Sequence, residues 1–255
     1  MRRNGTPLIA TVLPMSRNEL KKQERNDLFK KIAMWGAIIG VSILGLAGLV
    51  LIADKSTSTT NTPIENANLP KVTGSDIVLG NKEAKVTITE YSDFQCPACA
   101  SYNPTINRII EENPDVKVVY RFFPLRGIHK NALISGQAGY AANKLGKFSE
   151  MKDLLFVNQA DWENLADPKE IFEGYASSIG LDVEKFSTIM NSEEAKKVVE
   201  DGEKEAIGLG LNSTPSFFIG NKKFSASTYD EFKKLIDEEL KNSGSETKPT
   251  VKPLQ

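Results

Sequence analysis

The sequence predicts a mixed α/β domain carrying a helical insertion, preceded by one transmembrane helix. Three observations lead there. Residues 32–53 form an apolar stretch without a charge. Two segments with strand patterning, KVTITEY (85–91) and VKVVYRFF (116–123), bracket a helix-patterned segment. From about Lys130 to Leu209 the periodicity is helical throughout, and strand patterning returns only near the end.

The N-terminal segment, residues 1–31, carries eight basic and three acidic side chains. Ile32–Ala53 (IAMWGAIIGVSILGLAGLVLIA) follows; at about 1.5 Å per residue it reaches roughly 33 Å, enough for a bilayer. Basic residues before the span place the N-terminus in the cytoplasm and the rest of the chain outside. A cleaved signal peptide is the competing reading, but its apolar region is normally shorter, and Leu51-Ile52-Ala53 makes a poor A-x-A-like exit. The remainder is net −6 against −1 for the whole chain, which argues against a nucleic-acid partner.

Asp54–Pro70 (DKSTSTTNTPIENANLP) is polar and proline-containing, and reads as a flexible linker. Residues 242–255 read as a disordered tail for the same reason. One domain is expected between them, over 71–241. Ile77–Leu79 is expected as a short edge strand and Val116–Phe123 as a central one. In the helical block, about 129–209, Leu133, Ile134, Ala138 and Ala141 form one stripe and Met151, Leu154, Leu155 and Phe156 another. Asp167-Pro168-Lys169-Glu170 is a helix start, and Asp182 and Ser192 are further caps. Ser216–Ile219 and Lys223–Ser225 flank Gly220-Asn221 as a hairpin, and Thr228–Lys241 closes the domain as a helix.

The chain's two cysteines stand in one short stretch, FQCPACASY, at Cys96 and Cys99. A structural disulfide would close almost the smallest loop available and stabilise little. With His129 the only histidine, a closed Cys/His zinc site is not possible. A strand ends near Tyr91, a short turn follows, and Cys96 falls at the N-cap of a helix with Pro97 at its first position and Ala98 next. Backbone N–H groups and the helix dipole at that point favour a thiolate. Cys99, one turn in, is placed to resolve a mixed disulfide on Cys96. Pro104 lies inside the same helix.

These residues resemble the membrane-anchored, DsbA-like thiol–disulfide oxidoreductases of bacteria, with a thioredoxin fold. The resemblance covers about Val72–Lys241 and rests on ITEYSDFQCPACASY (88–102), GIHKNALISGQAGYAANKLGKFSEMKDLLF (127–156), NQADW (158–162) and STPSFFIGN (213–221). It implies that Cys96 is an exposed nucleophile and Cys99 a buried resolving thiol. It implies that Pro215 is cis and faces the cysteines, with the Thr214 backbone pairing an extended substrate peptide as an added strand. Glu90, six residues before Cys96, matches a buried acid that relays the proton of Cys99; a surface strand glutamate is the alternative. The redox-active disulfide itself is the only prosthetic element expected, with no further cofactor and no metal. Ala98 departs from the histidine that strong oxidases of the group carry, which leaves the direction of electron flow open. His129 reads mainly as structural, and Phe94, Phe122, Phe123, Phe217 and Trp162 as core.

The function expected is disulfide introduction into exported proteins that carry cysteine thiols, with reoxidation by a quinone-linked membrane partner of the DsbB or VKOR kind. The alternatives are a reductase or isomerase using the same chemistry, and a non-catalytic tethered binding module with a structural disulfide.

Overall fold

The computed structural model describes residues 67–74 and 76–245. The expected cytoplasmic segment, the transmembrane helix at 32–53 and most of the linker lie outside the described residues. Among the described residues no helix is long and apolar enough to cross a membrane.

Five strands form one sheet: β1 (Ile77–Gly80), β2 (Val86–Ser92), β3 (Val116–Phe122), β4 (Ser216–Ile219) and β5 (Lys222–Phe224), in the order β1-β3-β2-β4-β5. β2 and β3 are parallel, joined through helix α1 (Pro97–Glu112), and the other pairings are antiparallel. β1 is an edge strand and β3 lies inside the sheet, as their apolar patterns require. β4 and β5 form a hairpin whose turn glycine, Gly220, has φ +54, a left-handed conformation that costs glycine little.

Between β3 and β4 the chain inserts six helices: α2 (Ala132–Lys144), α3 (Phe148–Val157), α4 (Gln159–Trp162), α5 (Lys169–Ser178), α6 (Val183–Met190) and α7 (Glu193–Gly208). Helix α8 (Tyr229–Ser245) follows the hairpin and runs to Ser245, into the segment expected as a tail from 242; residues 246–255 lie outside the described residues. Asp182 and Ser192 cap α6 and α7 by accepting from the backbone N–H groups of Lys185 and Ala195. The start near Asp167 is displaced by one residue. The helix begins at Lys169, and the Asp167 carboxylate accepts its N–H at 3.1 Å.

Helix α2 differs from the single apolar stripe expected. Ser135–Ala142 is buried on every side, while Leu133, Ile134 and Asn143 are half-buried and Lys144 is exposed, because α3, α6 and α7 all pack around the helix. Its small residues make that packing possible. A Cβ on Gly139 would lie 2.6 Å from the Phe94 ring, and one on Gly136 2.7 Å from Val199. Trp162 is fully buried, its ring edge-on to Phe172 at 5.3 Å, and its indole N–H donates to the Leu155 carbonyl.

The linker is ordered at its end. Ala67 is buried and its N–H donates to the Asn221 carbonyl at 2.9 Å, and Leu69 packs with Tyr91, Phe123, Leu211 and Phe218. An apolar cluster on that sheet face draws in residues that composition assigns to a tether.

Candidate functional site

Strand register delivers the site. Tyr91 lies opposite Ser216, so the residues just before β4 sit beside the end of β2 and the loop that follows it. That loop, Asp93–Gln95, is pinned from both sides. The Asp93 carboxylate, fully buried, accepts from the N–H of Gln95 at 2.8 Å and the N–H of Leu125 at 2.9 Å, and meets His129 Nδ1 at 2.7 Å. The Asp93 carbonyl accepts from Cys96 N–H at 3.0 Å. Gln95 accepts from the N–H of Asn131 and donates to the Glu163 carbonyl, while Gln159 donates to the Phe94 carbonyl. Phe94 stacks on Tyr120 with centroids 5.4 Å apart and also meets Phe122, Phe148 and Phe156. The helical insertion therefore holds the loop that presents the cysteines.

Cys96 is the N-cap of α1 (φ −80, ψ 119), Pro97 occupies the first turn, and the Cys96 carbonyl accepts from Ala100 N–H at 3.1 Å. Both cysteines are free, so the geometry is that of the dithiol. Cys99 has no exposed surface, and Cys96 is 7% exposed. This corrects the exposed first cysteine that the resemblance implies. The Thr214 carbonyl lies 3.4 Å from Cys96 Sγ and accepts from the thiol, so the loop leading to Pro215 covers the sulfur, while Pro97 and Ala98 beside it are exposed.

The two thiols are driven apart. A hydrogen bond from the Cys99 thiol, seconded by the Thr214 hydroxyl and the backbone N–H groups of Cys99 and Ala98, brings Cys96 down to about 5 against burial. Burial above all pushes Cys99 well up, helped by the bond to Cys96 and by the charges of Cys96 and Glu90. One sulfur is thus a thiolate at neutral pH and the other a proton donor to it.

Glu90 lies mid-strand, between Tyr120 and Phe217 on the neighbouring strands, and is 4% exposed. It is the buried acid rather than a surface glutamate. Burial raises its carboxyl, with the Ser92 hydroxyl and the charge of Lys152 opposing. The Thr214–Pro215 bond is cis. His129, though 33 residues beyond Cys96 in the chain, sits on the motif loop through Asp93. Among the described residues no cluster of three or more His, Cys, Asp or Glu side chains is arranged to hold a metal ion.

Sequence reasoning missed Asp93, Gln95, Asn131, Gln159 and Lys152. Of these only Asp93 and Gln95 had a signal, as polar residues in a short turn before a helix; the others make their bonds to the motif loop and its helix across 36 to 65 residues of chain.

A sheet with parallel central strands, a Cys-x-x-Cys pair at a helix N-terminus and a cis-proline loop across from it define a thioredoxin-fold thiol–disulfide oxidoreductase. The chain belongs to the family described as Thioredoxin, whose model matches residues 72–238. Among solved structures it is similar to oxidised BdbD from Bacillus subtilis, at 26% identity and TM-score 0.58, over 65% of this chain and 93% of that one. It also shares its fold with alpha-DsbA1 from Wolbachia pipientis, at 19% identity and TM-score 0.62, over 72% of this chain and 100% of that one. The Na(+)/H(+) antiporter NhaA 1 of Salinispora arenicola is 31% identical over 153 residues, 60% of this chain. The chain spans only 22% of that relative's length.

Proposed function

We propose that this chain is a membrane-anchored, extracytoplasmic thiol oxidase that introduces disulfides into exported proteins. The observation that carries the reading is the asymmetry of the pair: Cys96 at the helix mouth under the Thr214 carbonyl, Cys99 sealed beneath it.

In the oxidised enzyme Cys96 and Cys99 are joined. A substrate thiolate attacks Cys96 Sγ, the Cys96–Cys99 bond breaks, and Cys99 leaves with the electron pair and takes a proton. A second substrate thiolate attacks the substrate sulfur of the mixed disulfide and expels Cys96. The substrate gains one disulfide, and the enzyme holds the two electrons as a dithiol. Cys96 is a good leaving group because its thiolate is stabilised. Glu90 supplies the proton for Cys99 and recovers it on reoxidation. The backbone of Thr214 pairs with the extended substrate segment, and a quinone-linked membrane partner of the DsbB or VKOR kind takes the electrons. The basic segment 1–31 and the apolar segment 32–53 anchor the enzyme with its catalytic domain outside.

The second reading, a reductase or isomerase, is favoured by Ala98. Its exposed methyl adds neither charge nor hydrogen bond to the Cys96 thiolate, and each 1.4 kcal/mol of thiolate stabilisation forgone lowers the potential by about 30 mV. The potential of the full-length chain in detergent, equilibrated against glutathione buffers, separates the two. A value near about −120 mV supports the oxidase, and one near about −270 mV overturns it in favour of the reductant.

A further inference from the structure

The segment Ala67–Pro70 has the composition of a flexible linker, yet two of its side chains are packed. Ala67 is 6% exposed and its N–H is taken by the Asn221 carbonyl of the hairpin turn. The N–H of Leu69 turns back onto the Ala67 carbonyl at 2.8 Å, and its half-buried side chain lies against the same apolar cluster. Ordering such a chain costs conformational entropy, which apolar burial has to offset. The residues that supply this burial include Tyr91, Phe123, Leu125 and Leu211.

Each of these four borders a loop of the site. Tyr91 stands two residues before Asp93. The Phe123 N–H donates to the Ser92 carbonyl at 2.9 Å, and the Leu125 N–H to the Asp93 carboxylate. Leu211 stands three residues before Thr214. After α7 the chain turns at Gly210, in the left-handed region at φ +75, and the Leu211 N–H closes onto the Ala206 carbonyl at 3.0 Å. Beyond it Asn212 and Ser213 are exposed, and the Ser216 hydroxyl donates to the Ser213 carbonyl at 2.9 Å. Leu211, 4% exposed, is therefore the apolar anchor of the segment that carries the Thr214 carbonyl to Cys96. The linker residues close the cluster in which that anchor sits.

We propose that Ala67 and Leu69 are positioning residues for thiol exchange: as a strap over the Leu211 cluster they hold the Thr214 segment against Cys96 Sγ. This rests on the proposed redox role of Cys96. With the strap seated, the sulfur stays covered and the backbone of Thr214 is held ready to pair with an extended chain, so polypeptide thiols are favoured over small ones. With the strap displaced, the sulfur is uncovered and the pairing backbone is no longer fixed. Small thiols then gain and extended peptides lose. Neither residue touches the reacting atoms.

The test uses the full-length chain in detergent with two variants. Ala67→Asp puts a charge into the cluster, and Leu69→Ala shortens one side chain. In the reduced chain at pH 8 the Cys96 thiolate displaces iodide from iodoacetamide. That reaction should run about fivefold faster in Ala67→Asp and about twofold faster in Leu69→Ala, because a local opening precedes attack. Cys99, sealed in the core, stays unmodified in both. In the oxidised chain, with glutathione disulfide to restore the pair, oxidation of 2-mercaptoethanol should quicken in both variants, while oxidation of an extended cysteine decapeptide should slow through a higher KM. Phe186→Leu, a core change in α6 outside the cluster, should move none of these. Unchanged Cys96 alkylation in both variants overturns the proposal. So do small thiol and peptide moving in the same direction, and a gain at Cys96 that Cys99 or Phe186→Leu shares; the strap is then a stabilising contact and no more. Should Ala67→Asp fail to fold, Leu69→Ala decides by the same criteria. A wild-type chain that oxidises neither substrate refutes the redox role itself, a result distinct from the others.

Discussion

Cys96 Sγ and the carbonyl oxygen of Thr214 lie 3.4 Å apart, although 118 residues of chain separate them. The contact exists because Tyr91 on β2 pairs with Ser216 on β4, so the register of one antiparallel pair brings the Thr214–Pro215 segment over the helix mouth. The reactive sulfur and the backbone that would receive a substrate strand are thereby held by the same sheet.

The thiolate prediction follows from that arrangement. Alkylation of the reduced chain by iodoacetamide should titrate at Cys96 with a midpoint near pH 5, while Cys99 stays unmodified until the chain unfolds. The sign for stability also follows. Cys96 titrates lower in the folded chain than in the unfolded one, near about 8.5. The thiolate therefore stabilises the reduced fold fully above that value, and the contribution is lost as pH falls through about 5. Urea midpoints of reduced chain, corrected with Cys96→Ser, should show this loss. Cys96→Ser itself should reduce disulfide exchange to background.

Thr214 offers a more delicate test. Its hydroxyl is buried without a hydrogen-bond partner in the dithiol, yet it favours the Cys96 thiolate. Thr214→Val should move the alkylation midpoint upward, by an amount smaller than the loss of the Cys99 thiol causes in Cys99→Ala. Stability of the reduced chain should change by less than about 1 kcal/mol, since no made bond is broken. An unmoved midpoint would remove the hydroxyl from the account.

Glu90→Gln should stabilise the fold at neutral and alkaline pH. Burial raises the carboxyl above its unfolded value, so ionisation opposes folding increasingly as pH rises from about 4.3 toward the folded value. Melting temperatures of the variant and the wild type should agree near pH 4 and separate in the variant's favour by pH 8. Equal melting across that range would mean the carboxyl is solvated.

Gly202→Ala, on the exposed-looking sequence of α7, should destabilise rather than stabilise. Alanine is worth about 1 kcal/mol over glycine in a helix interior. Here its Cβ would meet the Phe122 carbonyl oxygen at 2.4 Å, a backbone atom of β3 that cannot turn aside. Overpacking of this kind costs typically about 1–3 kcal/mol, so a net loss in thermal or urea midpoint is expected, and a gain would show that α7 can slide off β3.

Much of this molecule was legible before folding, because local physics writes it into neighbouring residues. Strand alternation set β2, a nearly continuous apolar run set β3, Gly220-Asn221 marked the hairpin, side-chain caps marked α6 and α7, and Pro97 after Cys96 marked the helix mouth. Each signal lies within a few residues of what it specifies. The placement of Glu90 was open between core and surface, since alternation gives a face but not what covers it; its 4% exposure in the folded chain closed that question. The His129 bond to Asp93 spans 36 residues, and the Lys152 bond to Asn103 spans 49. Those partners are chosen by how the insertion packs against the sheet and α1. By itself the sequence determined which two sulfurs stand together at a helix mouth and on what kind of scaffold. Only the tertiary structure decided which charges surround them, because electrostatics acts through space and the chain order of distant helices does not encode it.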